Sequence, residues 1–407
     1  MSNLILNEGY GLNKYYLQQG SKDSVIIGKK KFIDLSNCSG SLILGHNHSI
    51  TKKAIRDYLK NNYTSTSYPN VNAVRFSKVI KKSFPNFKKI VFCTTGSEAV
   101  IKSLRICRAI NKKKKIVSVV GSWHGSVNET LFSQNKKKMI MPISAGLKAS
   151  DAKNLIYIPY NDIKNSKKIL DKNKDKINCL IIEPVLGGLP IENIKLYLKF
   201  LENYCKKNNI SFILDEIITG FRCKNLSIQN QFKLKPDLTL IGKVSGGGMP
   251  IGIIGISEKI SSKIKSLKQR IFFGGTFSGN SLSTYIGYEV INFIKKNKII
   301  TALIKKSIFF QKEINQFLLR EKLKAKVLRF DSILRIIFTN EKVGSRVQRD
   351  FLESKNINKI KKFKNFLLKK KILYPSNGII FLSAATNRKS LNYIIKNINY
   401  GLKKYFQ

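Results

Sequence analysis

The chain has 407 residues, with 75 Lys and Arg against 24 Asp and Glu, a formal net charge of +51. Apolar residues make up 43% and aromatics 10%, enough to bury a substantial core, which excludes a chain disordered throughout. The length suits two or three packed units.

In chain order, Met1 to Glu8 carries no basic segment and only a short apolar stretch, and no later run approaches a membrane span, so a cytoplasmic protein without membrane contact is expected. One strand is predicted at Lys31 to Leu35. From about Ser49 to Lys296, apolar runs of strand length alternate with segments of helical period: Ile90 to Cys93, Ile116 to Val120, Cys179 to Ile182, Ser211 to Leu214, Leu238 to Ile241 and Ile251 to Ile256. Between them, Ser97 to Ile110 and Asn193 to Lys207 repeat apolar residues at three- and four-residue spacing. Continuous apolar strands separated by helices predict an α/β domain whose mostly parallel sheet is covered on both faces. From Asn297 the pattern loosens: two helical segments flank Val327 to Phe338, and a strand at Ile379 to Ser383 leads into a helix at Lys389 to Tyr405. The expected organisation is an N-terminal segment, 1–48, joined to a C-terminal part, 297–407, as a smaller α+β domain beside the large domain, 49–296.

The basic excess is spread in short runs (Lys29 to Lys31, Lys112 to Lys115, Lys136 to Lys138, Lys369 to Lys371), which reads as a surface bias and not as one nucleic-acid-binding face. Six cysteines show neither CxxC spacing nor matching histidines, so no metal site or disulfide framework is expected.

Ligands of open α/β sheets bind beyond the carboxyl ends of the strands. Four strand ends carry unusual residues. Thr94 to Ala99 (TTGSEA) opens a helix with small residues and free N–H groups, suited to a phosphate or serving as plain turn and cap. Gly121 to Gly125 (GSWHG) holds the chain's single Trp next to one of three His, a ring platform or ordinary core. Asp215 and Glu216 end a buried run and require a cation, donors or a helix to cap. Lys243 follows another buried run and enters a glycine-rich turn, where desolvation would make its amine a nucleophile. One chemistry uses all four: pyridoxal 5′-phosphate (PLP), with its phosphate, its protonatable ring and its aldehyde.

The chain resembles the class-III aminotransferases, and among them the glutamate-1-semialdehyde 2,1-aminomutases, through FIDLSNCSGSLILGHNH (32–48), TGSEA (95–99), WHG (123–125), YIPYND (157–162), IEP (182–184), LDEIITGFR (214–222), PDLTLIGKVSGGGMPIG (236–252) and GTFSGN (275–280). The resemblance implies a fold-type-I homodimer acting on a small amino or carbonyl substrate. Lys243 would form a Schiff base with the cofactor and shuttle the substrate proton, while Asp215 would pair with the pyridine nitrogen. Trp123 would stack on the ring, with His124 beside it and Ile217 on the opposite face. Gly96 and Ser97 would hold the phosphate, joined by Thr276 from the neighbouring subunit. Glu183 would be the active-site glutamate, and about Ser133 to Lys153 a mobile gating loop. Three departures fall on the substrate side: Cys38-Ser39 stand where the aminomutases usually carry Ser-Trp, Pro375 to Leu382 has no Glu, and Ser281 replaces a Pro. Two further readings are a donor-dependent aminotransferase, and a basic nucleic-acid- or membrane-binding protein on an idle scaffold.

Overall fold

The computed structural model describes residues 16–63, 68–135 and 137–407; the segment Met1 to Glu8, and Lys136 of one basic run, lie outside the described residues. Its centre is a seven-stranded sheet in the order Lys89–Cys93, Gly252–Ile256, Leu238–Gly242, Ser211–Asp215, Ile177–Ile182, Lys115–Val119, Leu155–Ile158. Six strands share one direction, and Gly252–Ile256 runs against both neighbours. That reversal follows from chain length. The connection from Gly242 to Gly252 holds only the short turn Lys243–Gly246, too little for a crossover helix. Most strands are buried end to end, as their continuous apolar runs require.

The six predicted runs all appear within a residue or two of their expected bounds. The seventh strand, Leu155–Ile158, is too short and too isolated a run to stand out. Val327 to Phe338 resolves into an antiparallel hairpin, Lys326–Phe330 with Ile333–Ile337, turning at Asp331 and extended by Ile379–Phe381.

The chain ends meet in a second sheet. An N-terminal meander of Leu17–Ser21, Ser24–Ile27 and Lys30–Asp34 is joined in parallel by Ile372–Leu373. Beneath it one apolar core takes residues from both ends, among them Leu35, Ile43, Phe310, Phe363 and Leu402, together with Phe76, Phe84 and Phe87.

Two packing details aim the strand ends at one place. Helix Gly96–Ile110 starts directly over the sheet because Gly252 has no side chain: a Cβ there would collide with the Thr95 carbonyl. Thr95 caps the helix, its hydroxyl accepting from the Glu98 N–H at 3.1 Å. Among the described residues, no helix is long and apolar enough to cross a membrane. Cys38 is exposed and the other five cysteines are buried, none in a disulfide.

Candidate active site

Lys243 is the first residue past the strand Leu238–Gly242, held at φ +46 by the tight turn that follows. Its amine forms no hydrogen bond or ion pair among the described residues. Burial lowers its pKa from the ordinary lysine value, while the nearby Glu183 and Asp215 charges oppose that shift. The result is an amine more readily deprotonated than a surface lysine.

Asp215 ends the adjacent strand, in register with Leu240, and is 3% exposed. One carboxylate oxygen lies 2.7 Å from His124 Nδ1; the other accepts the Ile217 N–H at 3.1 Å. Those contacts fix the carboxylate plane. His124 is itself buried, and its Nε2 has no partner among the described residues.

Ile217 connects this end of the site to the helix start: its side chain lies where a Cβ on Gly96 would sit, 2.7 Å away, and 3.6 Å from the Cβ position of Gly242. Ser97 turns its hydroxyl toward the neighbouring loop, accepting the Ser126 N–H at 3.0 Å. Gly125, at φ +78, must lack a side chain, since a Cβ would collide with that hydroxyl. The helix N-terminus and the Ser126 loop thus lie against each other, at the positive end of the helix dipole.

Trp123 is 46% exposed, which rules out the ordinary-core reading, and its backbone N–H donates to Glu183 Oε2 at 2.8 Å. Glu183 is 5% exposed. Desolvation, then the Asp215 charge, push its pKa up to about 7. Glu216, by contrast, faces away from this cluster. It caps helix Ile228–Phe232, accepting from the Ile228 and Gln229 N–H groups at 2.7 and 2.8 Å and from Thr219 at 2.9 Å.

The structure therefore brings Lys243, Asp215, His124, Ile217, Gly96, Ser97, Trp123 and Glu183 to one end of the sheet. Thr276 is exposed, in a segment tied to helix Gly96–Ile110 through Ser278 Oγ donating to Glu98 Oε1 at 3.1 Å and Lys102 Nζ donating to the Phe273 carbonyl at 2.7 Å. The stretch from Ser133 to Lys153 contains part of the small antiparallel pair Phe132–Gln134 and Ile140–Pro142, and the turn Ala149–Ala152. No cluster of His, Cys, Asp and Glu able to hold a metal occurs among the described residues.

The three departures each sit in a defined local setting. Asn37, Cys38 and Ser39 all have positive φ, in a left-handed turn held by Asn37 Nδ2 donating to the Phe381 carbonyl at 2.7 Å and by Arg222 donating to the Gly40 carbonyl. Gly378 in the Pro375 to Leu382 stretch lies against Arg335, whose guanidinium would be 2.8 Å from a Cβ there. Ser281 accepts from Asn72 Nδ2 at 2.9 Å, a bond that Pro would forfeit.

Sequence reasoning missed two arginines. Arg222 is fully buried, its guanidinium 4.7 Å from the centre of the Phe381 ring; it lies in the quoted stretch 214–222, but nothing local marked it. Arg346 reaches the Gly121 carbonyl from a part of the chain more than two hundred residues away, and no sequence signal marks it.

The site fits a phosphate-bearing aromatic aldehyde on its own geometry: a helix N-terminus opened by Gly96, an oriented carboxylate, an exposed ring, and a desolvated amine with no partner among the described residues. The family of class-III aminotransferases matches residues 21–339. A glutamate-1-semialdehyde 2,1-aminomutase of Archaeoglobus fulgidus is 35% identical over 70% of this chain and 68% of its own. One from Methanosarcina acetivorans is 32% identical over 79% of this chain and 76% of its own. A crystal structure of a glutamate-1-semialdehyde aminomutase from Pseudomonas aeruginosa PAO1 in complex with PMP superposes with a TM-score of 0.86 at 16% identity, over 96% of this chain and 88% of that one.

Proposed function

Since the chain belongs to the class-III aminotransferases, we propose that it is a PLP-dependent aminomutase converting glutamate-1-semialdehyde to 5-aminolevulinate, the step its curated relatives are named for. The observation that carries the site assignment is the desolvated amine of Lys243 standing beside the His124-oriented carboxylate of Asp215. When bound, PLP supplies an aldehyde to bond amines covalently and a ring that withdraws electrons from the attached carbon.

On this reading the chain's residues divide the work. Lys243 Nζ would hold the cofactor covalently and, when free, shuttle a proton between the substrate carbon and the cofactor. Asp215 holds a proton on the pyridine nitrogen, a charge-assisted bond contributing roughly 1.5–3 kcal/mol. Its second oxygen stays committed to the Ile217 N–H, so the carboxylate does not rotate away. Gly96 and Ser97 would hold the phosphate, and Trp123 and Ile217 the two faces of the ring, with Glu183 nearby, tied to the Trp123 N–H. Thr276 serves the phosphate of a second subunit in a homodimer, which its exposure on a tethered segment allows. The Ser133 to Lys153 segment gates the site. The same reading divides the chain into a large cofactor-binding domain, 49–296, and a small domain built from 1–48 and 297–407. It locates the enzyme in the cytoplasm, without a nucleic-acid or membrane partner.

An aminomutase exchanges two groups within one molecule, so it needs no external amino donor. Purified holoenzyme incubated with glutamate-1-semialdehyde alone is expected to yield 5-aminolevulinate; absolute dependence on an added donor would instead support the aminotransferase reading. Lys243→Ala is expected to lose turnover and the visible absorbance of the cofactor–lysine bond. Retention of both would show that another lysine is used.

A further inference from the structure

We propose that Arg346 is the anion-binding residue of this site, receiving a substrate carboxylate beside Trp123; the proposal rests on the amino-group-transfer reading above. Arg346 begins helix Arg346–Ser354, whose Ser345 cap accepts the Gln348 N–H at 3.1 Å. Its side chain threads between the two loops that carry Trp123 and Glu183.

Glycines make that passage. On one side, a Cβ on Gly121, at φ +94, would lie 2.7 Å from Arg346 Cβ, and Arg346 Nη1 donates to the Gly121 carbonyl at 3.2 Å. On the other, a Cβ on Gly188 would lie 3.3 Å from Arg346 Cδ. Gly121 is two residues before Trp123, and Gly188 follows Glu183 in the next loop. The guanidinium is thereby fixed at the edge of the site, near enough for its charge to oppose the upward shift of the Glu183 pKa.

Local charge is left out of balance. Among the described residues, Arg335, Arg346 and Arg349 share Asp350 and Glu353 as their ion-pair partners. Arg335 and Arg349 are buried and both reach Glu353, and Arg349 also makes the closer contact to Asp350. Among the described residues Arg346 pairs with a single carboxylate, Asp350, Nε to Oδ2 at 3.5 Å, which it shares with Arg349, and its side chain is 36% exposed. A planar donor fork with a weak internal partner, held next to a ring platform, matches the geometry of a carboxylate. The ligand class is an amino-carbonyl compound with a terminal carboxylate a few carbons from the reacting end.

Trp123 is the chain's single tryptophan, so its fluorescence reports this location. PLP-loaded enzyme would be titrated with 5-aminolevulinate, with aminoacetone, which lacks the carboxylate, and with glutarate, which lacks the amine. Arg346→Gln is expected to weaken 5-aminolevulinate and glutarate about 10- to 100-fold and aminoacetone less than about threefold, with visible absorbance unchanged. Arg346→Lys, which keeps charge but not the fork, should fall between. A Gln variant that keeps the wild-type preference for carboxylates, or weakens all three ligands alike, overturns the proposal. If the wild type ignores 5-aminolevulinate yet binds glutarate through Arg346, the substrate assignment fails and the anion site stands.

Discussion

At Glu183, burial and hydrogen bonding pull in opposite directions. Desolvation favours the neutral acid, whereas the Trp123 N–H and the charges of His124 and Arg346 favour the carboxylate; burial wins and the pKa rises to about 7. A carboxyl group whose folded pKa lies above its unfolded 4.5 contributes stability that is present in full below pH 4.5 and lost as pH rises through 7. The rise corresponds to ~3 kcal/mol. Glu216 is raised to about 7 as well, by burial against its helix-cap bonds, and acts in the same window. Urea denaturation of the apoprotein should therefore show stability falling from pH 5 to pH 8. Glu183→Gln, whose amide oxygen still accepts from Trp123, should remove about half of that fall; an unchanged slope would mean that Glu183 is already ionised at pH 5. The pair Asp215-Glu216 shows what residue-level reading can and cannot reach. Two carboxylates after a buried strand demand partners, and that is visible in sequence. Which one faces the cofactor side depends on His124, ninety-one residues earlier, and on the helix that Glu216 caps.

Strand Gly252–Ile256 shows how an element is tuned by what packs on it. Gly255 carries no side chain because the Phe87 ring lies on it; a Cβ would run into the ring. Phe87 in turn stacks on Phe84 at 5.0 Å, and Phe84 meets Phe221 edge-on at 5.3 Å. Gly255→Ala is expected to destabilise the protein by about 1–3 kcal/mol through overpacking. In a double-mutant cycle by chemical denaturation, Gly255→Ala should cost clearly less when Phe87 is already Ala. Additive costs would show that the ring does not set the penalty. The main strands and helices were legible because their apolar patterns are continuous and local. The strand Leu155–Ile158 and the first two strands of the N-terminal meander, Leu17–Ser21 and Ser24–Ile27, were not, since their pairing partners decide them more than their own residues do; the third, Lys30–Asp34, stands within a residue of the predicted Lys31 to Leu35.

For the whole molecule, the net charge of +51 is a stress as well as a surface property. Repulsion among cations opposes compaction, and salt screens it with a Debye length of about 10 Å at 0.1 M. The melting temperature is expected to rise as NaCl increases from 20 to 300 mM; a flat or falling curve would show that local ion pairs already offset the repulsion. The chain by itself determined the alternation of strands and helices and the chemistry waiting at four strand ends, because apolar continuity and turn residues act within a few positions. Only the tertiary structure decided which strands of the two chain ends pair, that Glu216 caps a helix while Asp215 faces His124, and that Arg222 and Arg346 reach the site's loops. Those outcomes depend on which distant segments are packed together, and on the water that packing removes around each charge.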